Sequence, residues 1–290
     1  FGTAPFWRRL GAGQARALLH AATDEGLTHI DTAPMYGFGY AERLVGGFLA
    51  ERRDEVTVAT KVGLHPPGAA ASRALPGRLL RGPLGVREDF GLSAVRRSFE
   101  RSLRDLQTNH VDFLLLHECA PEHLNDDLLG FLEECVLKGT ARAAGTATGT
   151  EATERIGQRW SPFPTAAQVP WEPGAPASAE DGRTVIVHSA VRLVLERVWG
   201  PLRERRVQMK RWSDAIGADC SRSDVMAALA VALARRENPG SCVLFSTRNI
   251  ERLQANVCLA AGFATDHARL DRFAVLVRET LAEAAVRDRA

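Results

Sequence analysis

The sequence lacks the features that would assign its 290 residues to several other classes of protein. No apolar run approaches the ~20 residues needed to span a bilayer. The formal net charge is only +2, which predicts neither a nucleic acid nor a membrane surface as a partner. The G-x-G-x-x-G fingerprint is absent, which excludes the commonest dinucleotide-binding Rossmann domain. No secretory signal is visible, so we expect a globular, cytoplasmic protein.

Cysteine is sparse and shows no pairing pattern. The five cysteines are an odd number and form no C-x-x-C pair. We expect them to be reduced and mostly buried, as in a cytosolic protein, and we predict no metal site. They are Cys119, Cys135, Cys220, Cys242 and Cys258.

Four ionisable residues occupy distinctive positions. The segment 30–37 places Asp31 at the end of an apolar run and Tyr36 just beyond it, and Lys61 and His117 end two later apolar runs. Because the carboxyl ends of the strands in a parallel barrel open on one face, we expect the four side chains to converge there. A neighbouring ammonium would lower the pKa of the tyrosine from about 10, which would suit it to proton transfer.

Each of these residues also has a simpler interpretation. A loop tyrosine is most often a half-buried packing residue, a lysine at a strand end ordinarily reaches solvent, and a lone histidine on an apolar strand is usually a core residue. Lysine is rare here, however, with only three among the 37 basic residues. An interior carboxylate partner, Asp31, therefore explains Lys61 better than a solvent-exposed position does.

Strands and helices alternate along the chain, which is typical of a parallel sheet with crossover helices. We predict one domain over 1–290, an α/β (β/α)8 TIM barrel with extended loops at its carboxyl face. The first of eight strands, Phe1–Ala4, is truncated, and a tail helix over Leu270–Val286 closes the chain. Long segments at about 64–91 and 171–183 replace regular structure and either cover the substrate pocket or are plain surface. The other strands are Leu27–Asp31, Val56–Lys61, Val111–His117, Thr140–Gly145, Thr165–Val169, Thr184–His188 and Ser241–Phe245.

The order of these motifs resembles the aldo-keto reductase superfamily, NAD(P)H-dependent oxidoreductases built on a (β/α)8 barrel. The resemblance runs from Phe1–Phe6 through 26–33 to Ser246–Asn249, and so covers nearly the whole chain. Glu42 and Gly46 match the family's helix after the catalytic loop. The resemblance implies that Tyr36 is the proton donor, that Lys61 and Asp31 set its acidity, and that His117 orients the substrate carbonyl.

The resemblance also implies a cofactor site at the end of the last strand and the start of the next helix. The N–H groups and the dipole of that helix would favour a phosphate. Arg248 and Arg252 would bind the adenosine 2′-phosphate, which favours NADP(H) and leaves NAD(H) possible, although Arg252 could be an ordinary exposed arginine. Asn256 favours the cofactor, because asparagine is a poor helix-interior residue unless its amide has a partner. The residues assigned to the cofactor are Gly2, Thr3, Asp31, Thr148, Gln168, His188, Ser189, Ser246, Thr247, Arg248, Arg252 and Asn256.

Two positions depart from the family's pattern. Ala147-Thr148 stands where the family usually has Ser-Asn, and His188-Ser189 stands where an aromatic residue usually stacks on the nicotinamide. Both departures bear on cofactor affinity more than on the chemistry.

The predicted function is NADP(H)-dependent reduction of an aldehyde or ketone to an alcohol by hydride transfer, with Tyr36 as general acid. Two alternatives stay open. One is an NAD(P)-dependent dehydrogenase of a sugar lactol or a pyridoxal-like hemiacetal that uses the same residues. The other is a nucleotide-sensing regulatory subunit on the same barrel, because a fold alone does not settle a function.

The expected partner is a small-molecule carbonyl compound or alcohol, and the sequence specifies neither its identity nor an oligomeric state. A mainly apolar pocket wall is predicted. Arginines of the first long loop could attract an acidic substrate or simply be solvated. The pocket residues are Trp7, Tyr36, Phe38, His117 and Cys119, and the loop arginines are Arg73, Arg78, Arg81 and Arg87.

Overall fold

The computed structural model describes residues 1–6, 10–65, 86–177 and 182–287. The chain divides into two compact units, Phe1–Val169 with Glu180–Thr184 and Pro170–Ala179 with Val185–Ala290. Both contain strands followed by helices, as the sequence predicts. No helix within the described ranges is long and apolar enough to cross a membrane.

The first unit is built on a parallel sheet. Strands β1, β2, β5, β6 and β7 pair in that order, and the pairs include Lys61 with Leu115 and His117 with Ala147. Parallel pairing brings the carboxyl ends of these strands to the same edge. The strands are β1 His29–Asp31, β2 Thr57–Val62, β3 Leu64–His65, β4 Arg87–Glu88, β5 Val111–His117, β6 Ala141–Ala147 and β7 Ala166–Pro170.

The predicted first strand is wrong in extent. Only Gly2 forms a bridge, a parallel one to Asp31, and the chain then turns into a 3-10 helix over Ala4–Phe6. Pro5 has no N–H to donate to a neighbouring strand, which favours this early departure. Within the described ranges, the parallel sheet therefore has seven strands and the Gly2 bridge where eight strands were expected.

Helices of the first unit bury one face each, as their apolar spacing predicts. In α2 two adjacent glycines differ sharply. A Cβ on Gly46 would lie 2.4 Å from the carbonyl oxygen of Asp105 at the end of α3, whereas one on Gly47 would meet nothing within 4 Å. Gly46 therefore permits the close approach of the two helices. The helices are α1 Ala12–Asp24, α2 Tyr40–Arg52, α3 Leu92–Asp105, α4 Asp126–Leu137 and α5 Thr150–Trp160.

The second unit contains the parallel pair β8, Thr184–His188, and β9, Cys242–Val243. The predicted tail helix is α11, where the ring of Phe273 packs edge-on against Trp212 at 6.3 Å between centroids. A π-helical segment, Val194–Trp199, separates α6 from α7. The helices are α6 Ala190–Leu193, α7 Gly200–Leu202, α8 Arg206–Ile216, α9 Ser223–Glu237, α10 Ile250–Ala264 and α11 His267–Arg287.

The two predicted long loops are described in part. Most of the first, 66–85, and residues 178–181 of the second lie outside the described residues. The ends of the first loop form the antiparallel ribbon of β3 and β4. Gly63, at φ +102°, lies under the ring of Phe90, which a Cβ there would approach to 2.1 Å. The ribbon therefore starts at a glycine that has no room for a side chain.

The five cysteines are all free thiols. Three of them are buried, one is intermediate and Cys258 is exposed. This agrees with the expectation of reduced, mostly buried cysteines.

Candidate active site

A buried ion pair lies at the carboxyl ends of β1 and β2. Lys61 Nζ lies 2.5 Å from Asp31 Oδ1, and the two residues are 1% and 3% exposed. Burial is the largest single influence on the pKa of Lys61 and would lower it, but Asp31 and Tyr36 together outweigh burial and the net direction is upward. Burial is likewise the largest influence on the pKa of Asp31 and would raise it, but the nearby positive charges, Lys61 foremost, together outweigh burial and the net direction is downward. Both groups are therefore charged near neutral pH.

The third bond of the ammonium goes to the backbone. Lys61 Nζ donates to the carbonyl oxygen of Thr32 at 3.0 Å, in addition to its bonds to Asp31 and Tyr36. The ammonium thus has three acceptors for its three N–H groups and is fixed in direction. The sequence carries no signal for the Thr32 contact, because a carbonyl is present at every residue.

Tyr36 reaches this pair from the loop after β1. Its hydroxyl lies 3.1 Å from Lys61 Nζ and 3.4 Å from Asp31 Oδ2. Gly37, Phe38 and Gly39 follow it with φ of +68°, +59° and +83°, so the chain makes a tight left-handed turn beside the phenol. The structure therefore brings Asp31, Tyr36 and Lys61 together, as predicted.

The expected direction of the tyrosine's pKa is wrong for the protein alone. Burial raises the pKa of Tyr36 to about 12, and the Asp31 carboxylate adds to the rise, while the Lys61 ammonium opposes it. The loss of water around the phenol disfavours the phenolate strongly. The single ammonium of Lys61, already neutralised by Asp31, favours the phenolate less strongly than that. The phenol therefore stays protonated at neutral pH, which is the form a proton donor needs.

His117 ends β5 beside the phenol. Its ring centroid lies 6.2 Å from that of Tyr36, with the planes at 89°. Both His117 and Tyr36 are half-buried. The structure thus groups all four predicted side chains.

The second tyrosine lies elsewhere. Tyr40 donates its hydroxyl proton to the carbonyl of Leu10 at 2.6 Å, which is a structural hydrogen bond between a loop and α2. His29, also assigned no role, is half-buried and bonded through Nδ1 to Thr57 Oγ1 at 2.9 Å. Burial lowers the pKa of His29 to about 4, so this ring is neutral.

The predicted cofactor residues of the first unit show one distinctive feature. Gln168 is 4% exposed, and its Oε1 has no hydrogen-bond partner among the described residues. A buried amide oxygen without a partner costs free energy, which a ligand's donor would recover. Thr148 is also buried, whereas the Thr3 hydroxyl is used by the protein itself, because it donates to the carbonyl of Asp31 at 3.0 Å.

A similar feature occurs in the second unit. Asn256 in α10 is 4% exposed, and its Oδ1 lacks a partner within the described part of the chain. At the start of the same helix, Asn249 Oδ1 accepts the N–H of Arg252 at 2.6 Å and caps the helix. Ser246, Arg248 and Arg252 are exposed, so their side chains are available to an anion there.

Two further predicted residues of the second unit, His188 and Ser189, bond to each other. His188 Nδ1 and Ser189 Oγ lie 2.8 Å apart. Ser189 has a φ of +69° and receives a further bond, at 3.2 Å, from Arg192. Their assignment to the cofactor stays a prediction.

The predicted pocket residues are placed unevenly. Phe38 is half-buried in the left-handed turn after Tyr36. Cys119 is 1% exposed, and burial raises the pKa of its thiol to about 12, so it is an unreactive core residue. Trp7 lies outside the described residues.

The sequence model of the aldo/keto reductase family matches residues 1–273. This chain belongs to that family. Two curated aldo/keto reductase relatives are 35% identical: a pyridoxal 4-dehydrogenase of Microbacterium luteolum over 130 residues and a D-threo-aldose 1-dehydrogenase of a Pseudomonas species over 150 residues. The aligned parts span 40% and 48% of this chain and 38% and 45% of those proteins. The chain thus matches less than half the length of each.

Solved aldo/keto reductases share the fold over nearly the whole chain. An aldo-keto reductase from Klebsiella pneumoniae, solved in complex with NADPH, has a TM-score of 0.65 and 25% identity, and the match covers 94% of this chain and 89% of that one. The predicted family and α/β barrel fold class are therefore confirmed.

Proposed function

We propose that the protein is an NADP(H)-dependent oxidoreductase that reduces an aldehyde or ketone to an alcohol, with Tyr36 as the general acid. The observation that carries the proposal is the phenolic hydroxyl at 3.1 Å from a buried ammonium, Lys61 Nζ, which is itself paired with Asp31. A phenol beside a fixed positive charge can lose a proton to a carbonyl oxygen and leave a stabilised phenolate.

The chain's own residues handle the proton. When bound, the nicotinamide supplies the hydride for the carbonyl carbon. Tyr36 holds a proton at its hydroxyl up to a pH of about 12 and gives it to the carbonyl oxygen as negative charge develops there. Lys61 stabilises the phenolate that results, Asp31 keeps Lys61 charged and in place, and His117 donates a hydrogen bond that positions the carbonyl.

The cofactor assignment rests on the orphaned amides and the exposed arginines. In each unit one buried amide oxygen, of Gln168 or of Asn256, lacks a partner among the described residues, as expected of a residue that binds a ligand through that atom. Arg248 and Arg252 provide positive charge at the start of α10, and the Klebsiella relative is an NADPH complex. These observations support NADP(H).

A second candidate is the reverse reaction on a lactol or hemiacetal, because the two curated relatives are a pyridoxal and an aldose dehydrogenase. Oxidation would need Tyr36 to begin as the phenolate, and a pKa of about 12 disfavours that form at neutral pH. Initial rates with NADPH, NADH, NADP⁺ and NAD⁺ at several pH values separate the two candidates, since oxidation should accelerate as the pH rises.

The test of the proposal is Tyr36→Phe, with Tyr40→Phe as the matched control. Tyr36→Phe removes only the acidic hydroxyl, so we expect kcat to fall by about 100-fold or more and NADPH affinity to change by less than about twofold. Tyr40→Phe removes a hydroxyl bonded to Leu10 and should keep near-normal turnover. Turnover is followed by NADPH absorbance and affinity by fluorescence titration, and an active Tyr36→Phe enzyme would contradict the proposal.

The same assay addresses a nucleotide-sensing regulatory subunit. Negligible turnover across a broad carbonyl panel, together with a stable protein partner in pull-down, would favour that function.

We also propose that the protein is cytoplasmic, because its cysteines are free thiols.

A further inference from the structure

Glu118, which directly follows His117, has an unusual backbone. Its φ is +53°, a left-handed conformation that L-residues other than glycine adopt at an energetic cost. Its N–H still donates to the carbonyl of Ala147 at 2.8 Å, so the residue is held at the strand end. Strain of this kind persists where the surroundings impose it, and it occurs often at ligand sites.

The conformation changes the direction of the side chain. In a regular strand His117 would point to one face of the sheet and the next residue to the opposite face. The left-handed turn at Glu118 interrupts that alternation at the mouth of the site. The Glu118 side chain is exposed rather than covered by a helix.

The Glu118 carboxylate interacts electrostatically with Lys61 and with Glu88. The pKa of Glu118 is raised, chiefly by its partial burial. The Lys61 ammonium acts to lower this pKa, and the Glu88 carboxylate acts to raise it. The carboxylate is therefore within electrostatic range of Lys61, which is 1% exposed. Within the described ranges, Glu118 forms no ion pair and its carboxylate accepts no hydrogen bond.

The other charged groups described around Glu118 are paired with each other. Asp31 already neutralises Lys61. Arg87, the one described arginine of the first long loop, is paired with Asp89 at 2.7 Å. Glu88 Oε2 lies 3.9 Å from His123 Nε2, so among these described groups Glu118 is the carboxylate without an ion-pair partner.

We infer that Glu118 is a specificity-determining residue that accepts hydrogen bonds from hydroxyl groups of the substrate and disfavours substrates that carry a carboxylate. A free carboxylate has two strong acceptor oxygens and no donor, so it suits O–H groups and repels anions. The residue stands one position from His117, so hydroxyl groups close to the reacting carbonyl are the ones within its reach. This inference rests on the proposed function, because it assigns a preference to the same site.

The test compares three aldehydes in the intact protein. Glyceraldehyde and propanal share a three-carbon skeleton and differ by two hydroxyl groups, and succinic semialdehyde carries a carboxylate. Glu118→Gln keeps the size and the backbone strain of the side chain but removes its charge. We expect kcat/KM for glyceraldehyde to fall about tenfold, mainly through KM, as loss of a charge-assisted hydrogen bond predicts. Propanal should change by less than about twofold, and succinic semialdehyde should improve, most strongly at low ionic strength.

Glu122→Gln is the matched control. Glu122 lies in the same loop, exposed and 3.3 Å from Arg155, so its variant should leave all three aldehydes unchanged. Equal effects of Glu118→Gln on glyceraldehyde and propanal, or no effect on either, would overturn the inference while the parent's reductase activity stands. If the parent reduces none of the three with NADPH, the inference fails, whereas the proposed function fails only if a broad carbonyl panel also gives no turnover.

Discussion

Replacing Glu42 by glutamine is expected to remove a pH-dependent part of the protein's stability. Glu42 lies in the first turn of α2 and is 1% exposed. Its Oε1 accepts the hydroxyl of Thr60 at 2.7 Å. Burial raises the pKa of Glu42 from 4.5 to about 7, although hydrogen bonds from the Thr60 and Ser102 hydroxyls lower it. Of the nearby charges, Asp105 raises this pKa and Arg101 lowers it.

The size of the effect follows from that pKa. The folded protein binds the carboxyl proton of Glu42 more tightly than the unfolded chain does. The stability that this difference contributes is therefore complete below pH 4.5 and is lost as the pH rises through 7. Each pH unit between the two values is worth about 1.36 kcal/mol, which gives about 3 kcal/mol in total, of which about 2.5 kcal/mol is lost between pH 5 and pH 8. A glutamine has no proton to lose there.

Urea denaturation at pH 5, 6, 7 and 8 measures this difference. The free energy of unfolding of Glu42→Gln, minus that of the parent, should rise by about 2.5 kcal/mol from pH 5 to pH 8. A constant offset from the altered hydrogen bonds does not matter, because only the pH dependence is tested. Glu151→Gln is the control, since Glu151 also lies in a helical first turn but is exposed, and it should follow the parent. Parallel curves for the parent and Glu42→Gln would refute the reasoning, because they would show that Glu42 ionises in the native state as readily as in the unfolded chain.

Two further outcomes are expected. Gly46→Ala should lower the free energy of unfolding by about 2 kcal/mol, because the new Cβ would lie 2.4 Å from a backbone carbonyl oxygen of α3. Gly47→Ala places its Cβ in open space and should raise the free energy of unfolding by about 0.5–1 kcal/mol. Equal effects of the two variants in urea denaturation would contradict the helix packing. Arg252→Ala should raise the Kd for NADPH about tenfold and leave the Kd for NADH within about twofold, because the guanidinium would contact only the 2′-phosphate. Fluorescence titration with both nucleotides measures the two Kd values. An equal loss of affinity for both nucleotides would contradict the assignment of Arg252 to the 2′-phosphate.

The sequence by itself determined the fold class and the positions of the four candidate site residues. Strand-forming apolar runs end at Asp31, Lys61 and His117, and parallel strands bring such ends to one edge whatever the packing details. The predicted tail helix became α11 because its apolar spacing continues over the whole segment. These features are local in sequence or follow from topology, so the sequence contains them.

The tertiary structure alone decided the electrostatics. The direction of the Tyr36 pKa depends on how much water the surrounding side chains exclude, whereas the sequence pattern reveals only the neighbouring ammonium. Glu42 matched a family motif, yet only the packing of α2 shows that it is buried beside hydroxyls rather than beside a cation. The left-handed backbone of Glu118 is likewise fixed by its strand-end contact and not by its residue type. Desolvation and strain are properties of the packed chain, because both depend on residues that are distant in sequence.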